Sequence, residues 1–128
     1  MDTLECLVTR RSVRKYKPDP IPRQELEEIL AAAACAPSAV NLQPWYLVAV
    51  CSPEGMAEFR DTMRQVAVKT RPELEARFAN HPQVIRETES FLVSLGGAPV
   101  CVLAFLQKDG YPDRDSVVQS AAAAVENL

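Results

Sequence analysis

Two apolar runs, Trp45 to Cys51 and Val100 to Leu106, set the tightest limit on what this chain can fold into. Both are continuous rather than alternating and partly β-branched, the pattern of strands covered on both faces. Everything around them reads as helix or loop. Two interior strands are too few for a stable sheet, because each needs a neighbour on either side. The expectation is that the chain is a fragment, or that another chain completes its sheet and core. The last helix points the same way. It stops at Glu126-Asn127-Leu128 after an alanine-rich stretch, with no glycine, proline or polar tail.

Helical spacing accounts for the rest. Leu4, Leu7 and Val8 mark a short amphipathic helix ending near Thr9. Pro18, Pro20 and Pro22 forbid regular structure over 18–22, and Pro22 suits the start of a helix over 23–35 with Leu26, Ile29, Leu30 and Ala33 at helical spacing. Ala36-Pro37 stops it. Ser52 caps a helix from Pro53 whose inner face carries Met56, Phe59 and Met63. Residues 72–79 and 82–95 are expected as further helices, Gly96-Gly97 ending the second. Residues 108–115 read as a loop, with Asp113 or Asp115 capping a final helix from about residue 116. The 128 residues make a single domain, 1–128, without internal repeats.

Composition excludes several functions. Net charge is -3, and the one basic patch has no interleaved aromatic residue except Tyr16, so nucleic acid is not an expected partner. No run of eighteen apolar residues exists, and Asp2 and Glu5 occupy the first positions, so neither a membrane span nor a secretory signal is expected. Cys6, Cys35, Cys51 and Cys101 show no C-x-x-C spacing and there is one histidine, His81. They read as buried or half-buried thiols in a reducing cytoplasm rather than as a metal site. His81, beside Pro82, reads as structural or exposed. No catalytic acid–base pair and no nucleophile stand out.

Against the acidic average, residues 10–17 (Arg10-Arg11-Ser12-Val13-Arg14-Lys15-Tyr16-Lys17) place five cationic side chains in eight positions. Adjacent like charges repel, so the concentration asks for a counter-charge. Arginine's planar fork matches phosphate oxygens, and Ser12 adds a hydroxyl between two guanidinium groups. The stretch reads either as a phosphate grip or as a solvated basic loop. A second segment, Pro37-Ser38-Ala39-Val40-Asn41-Leu42-Gln43-Pro44-Trp45, joins a helix to a strand, with Trp45 anchoring its exit. Asn41 and Gln43 each offer donor and acceptor groups that suit the edge of a heteroaromatic ring, and Ser38 and the Ala39 amide add donors. The alternative is an ordinary turn in which Ser38 and Asn41 bond their own backbone.

Taken together, Arg-Arg-Ser-x-Arg, a helix, and Pro-Ser-x-x-Asn-x-Gln-Pro-Trp running into a strand resemble the nitroreductase family of flavin enzymes. The tail from Gln119 to Leu128 resembles the start of that family's central helix. The resemblance implies a three-layer α+β sandwich, a mixed sheet flanked by helices, assembled as a homodimer with FMN at the interface. It implies phosphate and ribityl contacts from Arg10, Arg11, Ser12 and Arg14, and ring contacts from Pro37, Ser38, Ala39, Asn41 and Gln43, the latter usually reaching the partner subunit's flavin. The family's second serine or small polar residue is Ala39 here, leaving only its backbone to serve. A later glycine-containing loop and a C-terminal basic residue that the family uses are not found in these residues. The implied activity is ping-pong reduction of nitroaromatics, quinones or similar acceptors by NAD(P)H, in which the flavin supplies the chemistry. A non-enzymatic or weakly flavin-binding remnant, or another flavin reaction on this fold such as dehalogenation or flavin destruction, remains open.

Overall fold

The computed structural model describes residues 2–107 and 113–128. The described residues form α1 (Thr3–Thr9), α2 (Arg23–Ala34), β1 (Trp45–Val50), α3 (Pro53–Arg77), α4 (Pro82–Ser94), β2 (Cys101–Leu106) and α5 (Arg114–Glu126), with short 3-10 turns at Ala39–Asn41 and Leu95–Gly97. The chain divides into two compact units. One comprises residues up to Pro18 with Ala57–Ala98, the other Asp19–Met56 with Pro99–Leu128.

In the second unit β1 and β2 pair antiparallel, Trp45 opposite Leu106 and Val50 opposite Cys101. The α+β class is as expected. Of the mixed sheet, the described residues supply this one antiparallel pair. The strands are less covered than continuous apolar runs imply. Most of their residues are half-buried, and Tyr46, Ala104, Phe105 and Leu106 are exposed. The physical reason is the short sheet: with two strands, each has an outer edge unpaired among the described residues. Against the sheet lies α5, which turns Val117, Ser120, Ala121 and Ala124 inward, an i, i+3, i+4, i+7 stripe. It also packs on α2 and on the Ala39–Asn41 turn. The Asn127 side chain ties its end to α2, donating to the Ala32 carbonyl at 3.1 Å. Small side chains bring these backbones close, so the core gains from dense contact more than from bulk. Its largest fully buried side chains are Met56 and Pro44. Burying Met56 contributes about 1.5–3 kcal/mol.

Local signals explain the helix boundaries. Asp2 caps α1, its carboxylate accepting from Leu4 N at 3.3 Å. The Ser52 hydroxyl accepts from Gly55 N at 3.0 Å at the start of α3. Asp113 caps α5, accepting from Asp115 N at 3.1 Å and from the Ser116 hydroxyl. Of the loop expected over 108–115, residues 108–112 lie outside the described residues, and α5 begins at Arg114 rather than 116.

In the first unit a separate helix at 72–79 is not formed: α3 runs unbroken through Pro72 to Arg77. A mid-helix proline removes one hydrogen bond, to the carbonyl four residues back. That residue, Val68, is 75% exposed, so the freed carbonyl lies on the water-facing side. Helices α3 and α4 pack around a cavity of about 210 Å³ lined by Val66, Leu74, Phe78, Thr88 and Leu92 among others. Arg71 bridges them to Glu89 at 3.5 Å. His81 is exposed at the start of α4, and its backbone N–H donates to Phe78 O at 2.8 Å. Helix α1 buries nothing: Leu4, Leu7 and Val8 are each at least two-thirds exposed. The cysteines correct the sequence reading. Cys6, Cys35 and Cys51 are exposed and only Cys101 is half-buried, all four unpaired. Desolvation pushes the Cys101 thiol above its ordinary value. Among the described residues no helix is long and apolar enough to cross a membrane. Nor do three or more His, Cys, Asp or Glu side chains gather there as a metal site.

Candidate functional site

The basic segment belongs to the first unit and is irregular and exposed throughout residues 10–17. Proline-free but rich in repelling charge, it is held by its backbone. Tyr16 N donates to Gly96 O at 2.8 Å, and the Tyr16 hydroxyl donates to Val13 O at 2.9 Å. Gly96 makes this approach possible. A Cβ there would lie 2.4 Å from the Arg14 carbonyl oxygen, and its φ of +63° is the left-handed region that favours glycine. The preceding residue, Leu95, is already left-handed at φ 51° and ends α4. Ser94 supports the turn, its hydroxyl accepting from Gly96 N at 3.1 Å and donating to Ser90 O at 2.7 Å. Arg60, from α3, fixes the exit by donating to Ala98 O at 2.9 Å.

The side chains of the segment are lightly engaged. Arg11 donates to Val8 O at 3.2 Å and Arg10 O at 2.7 Å, and Arg14 donates to Ser12 O at 3.4 Å. A guanidinium has five N–H donors, so most of Arg14's remain for a ligand. Arg14 and Lys15 line a groove of about 700 Å³ whose other wall is α4, through Arg86, Glu87, Ser90, Phe91 and Ser94. Three cations face one carboxylate, and that carboxylate, Glu87, accepts from Gln83 at 2.7 Å. The groove therefore favours an anion.

The helix-to-strand loop belongs to the second unit. Val40, Asn41 and Gln43 have φ of 45°, 59° and 48°. For β-branched Val40, 89% exposed, this left-handed backbone is strained without any burial to offset it, by about 1–3 kcal/mol. Local and long-range bonds hold the loop. The Ser38 hydroxyl accepts from Gln43 N at 3.0 Å, and Asn41 N and Leu42 N donate to Ser38 O and Ala39 O at 3.1 and 3.0 Å. Two sequence expectations are corrected here. The Ala39 amide is not free, since it donates to the Ser120 hydroxyl at 3.2 Å. The exit anchor is Pro44 rather than Trp45: Pro44 is fully buried and its carbonyl accepts from Gln107 N at 2.9 Å, whereas Trp45 is half-buried. Pro37, Asn41 and Gln43 are exposed, which leaves the Asn41 and Gln43 amide groups facing water.

The residues that the sequence reading passed over are those that hold these two segments. Gly96 read only as a helix stop and Ser120 only as one member of an alanine-rich helix. The available signals were a glycine pair where one glycine ends a helix, and a lone hydroxyl on an apolar stripe.

The chain matches the Nitroreductase family over residues 7–128. It is 46% identical over 61 residues to an NADH dehydrogenase of Thermus thermophilus, which is 48% of this chain and 30% of that protein. It is 28% identical over 108 residues to iodotyrosine deiodinase 1 of Rattus norvegicus, 84% of this chain and 38% of that protein. Among solved structures, a Bacteroides fragilis nitroreductase with bound FMN superposes at a TM-score of 0.69 with 27% identity, over 97% of this chain and 60% of that one. The chain spans about half the length, or less, of the first curated relatives it matches. With the family matched across nearly every residue, and the fold shared with an FMN-bound member, this chain belongs to the Nitroreductase family.

Proposed function

We propose that the protein is an FMN-dependent oxidoreductase that reduces nitroaromatics, quinones or similar electron-poor acceptors with NAD(P)H by a ping-pong cycle. The observation that carries this reading is the exposed Arg14, packed beside Gly96 two residues before the Tyr16 N–Gly96 O bond, on the wall of a groove with three cations and one carboxylate. Such a donor set fits a phosphate dianion, because charge-assisted and bidentate bonds from arginine are short and directional. Arg10, Arg11, Ser12 and Arg14 are assigned to the phosphate and ribityl chain. The ring edge needs both donors and acceptors, which the water-facing amides of Asn41 and Gln43 offer, with Pro37, Ser38 and Ala39 shaping the loop beneath them. FMN, when bound, supplies the hydride chemistry, accepting from NAD(P)H and giving to the acceptor. The chain's own residues bind, orient and place donors where negative charge develops. No acid–base residue is required of them.

The holoenzyme is proposed to be a homodimer with flavin at the interface, which the two-thirds-exposed apolar face of α1 and the strand edges left unpaired among the described residues favour. The cytoplasm is the proposed compartment, because Cys6, Cys35 and Cys51 are exposed free thiols that an oxidising environment would pair or modify. Reductive dehalogenation is a second reading, favoured by the similarity to the rat deiodinase.

Purified protein titrated with FMN and read by visible absorption tests the proposal. In the full chain, Arg10→Ala and Arg14→Ala are each expected to weaken FMN binding by about 1.5–3 kcal/mol, the range for hydrogen bonds to charged groups. Unchanged affinity in both removes the phosphate assignment. NADH oxidation dependent on a nitroaromatic or quinone supports the first reaction, while halide release from a halogenated aromatic without it supports the second.

A further inference from the structure

We infer that Ser120 is a positioning residue for the Pro37–Gln43 loop, fixing the backbone that presents Asn41 and Gln43 to the flavin ring; this rests on the FMN reading above. Ser120 is 5% exposed on the inward stripe of α5, among Val117, Ala121 and Ala124. Alanine would pack there equally well, form helix better and bury no polar atom. The hydroxyl therefore has another reason to be present. It donates to the carbonyl one turn back, Ser116 O, at 2.6 Å, which satisfies its proton. Its lone pair accepts from Ala39 N at 3.2 Å, across 81 residues of sequence.

Ala39 is where that bond matters. The next two residues, Val40 and Asn41, are left-handed, and a β-branched residue does not stay so unless its surroundings over-determine the backbone. Of the loop's further bonds, those between Ser38 and Gln43, Ser38 and Asn41, and Ala39 and Leu42 are local and would move with the loop, while the bond from Gln107 N to Pro44 O holds its exit. The Ser120 bond alone among these ties the left-handed stretch to a rigid helix. Losing it leaves the Ala39 N–H without its partner and lets Asn41 and Gln43 drift from their bound-state placement.

The test uses FMN-loaded full chain with Ser120→Ala, Ser120→Thr and Val117→Ala. Val117 is buried on the same helix but carries no hydroxyl, so its truncation reports destabilisation alone. Ser120→Ala is expected to speed amide exchange at Ala39 roughly tenfold or more, since exchange follows local opening. It is also expected to shift the visible flavin band and to weaken FMN binding about tenfold, the equivalent of one hydrogen bond. Ser120→Thr keeps the hydroxyl and restores slow exchange and the band. Val117→Ala lowers Tm with the band in place. Unchanged Ala39 exchange in Ser120→Ala overturns the inference, as does faster exchange with unaltered band and affinity. A band shift in Val117→Ala equal to that in Ser120→Ala overturns it too, as general loosening. Failure of the unmutated protein to take up FMN instead defeats the flavin reading, and the inference with it, whatever the exchange shows.

Discussion

Replacing Gly96 by alanine, with Gly97→Ala beside it, separates backbone strain from displacement of the basic segment. Both glycines are left-handed, at φ of 63° and 80°. An alanine in that region costs about 1–2 kcal/mol at either site. Only at Gly96 does the added methyl meet something. Its carbon would stand 2.4 Å from the Arg14 carbonyl oxygen and 2.9 Å from the carbonyl carbon, against 3.6 Å for the nearest atom at Gly97. Ordinary contact begins at 3.4 Å, so Arg14's backbone must retreat about 1 Å. That retreat stretches the 2.8 Å bond from Tyr16 N to Gly96 O, worth about 1 kcal/mol. Gly96→Ala should therefore cost about 2–3 kcal/mol and Gly97→Ala about 1–2. Urea unfolding of the two variants measures this directly. FMN titration carries the further expectation: about tenfold or more weaker binding in Gly96→Ala and near-normal binding in Gly97→Ala, because only the first moves Arg14. Equal stability loss and equal FMN affinity in the two variants would refute the claim that Gly96 sets the position of the basic segment.

Three other perturbations follow from particular geometry. Val40→Gly removes a left-handed β-branched residue that is 89% exposed, and should raise Tm while leaving the fold intact; a fall in Tm would show that the valine side chain has a partner. Pro72→Ala restores the N–H that α3 lacks and should stabilise by about 1–3 kcal/mol in chemical denaturation, with no change disproving an unbroken helix there. Asp113 is held below the usual carboxylate range, first by its bond from the Ser116 hydroxyl and then by Asp115 N. A carboxyl with a depressed folded-state pKa stabilises above its unfolded pKa and loses that contribution as pH falls through the folded value. Melting of α5 should thus grow easier on the acid side of about pH 4, and Asp113→Asn, which still caps, should flatten that slope in a circular-dichroism titration.

Much of this fold is local chemistry, and local chemistry is what a sequence displays. The first two helices, the Ser52 and Asp113 caps, the stop at Gly96 and both strands lie within a residue or two of their expected places. What failed was decided at a distance. Strand burial depends on how many neighbours a strand finds, and Tyr46 and Phe105 found too few to be covered. The proline rule has an escape when the orphaned carbonyl faces water, as at Val68. Cysteine is so often buried that exposure of Cys6, Cys35 and Cys51 ran against composition. In the candidate site the motif marked which residues to assign to the flavin, but not that the Ala39 amide was already engaged, because its partner stands 81 residues away.

The two candidate segments share a construction that explains why their motifs looked ambiguous. A functional arginine or amide must keep its donors for a ligand, so it contributes little to holding its own backbone. Some other group must then do the holding, or the irregular chain would sample many conformations and the ligand would bear the ordering cost. In the basic segment that group is Gly96, whose carbonyl takes Tyr16 N and whose missing side chain admits Arg14. In the loop it is Ser120, whose hydroxyl takes Ala39 N. Both holders are small residues at the end or on the inner face of a regular helix, and neither is among the residues assigned to touch the flavin. The solvated-loop and simple-turn readings thus describe the side chains correctly: they are exposed, and Ser38 does bond its own turn. They leave out the backbone, which is tied to α5 through Ser120 and to the end of α4 through Gly96. A backbone held in place beneath exposed side chains is what the proposed binding surface requires, since the ligand then bears less of the ordering cost.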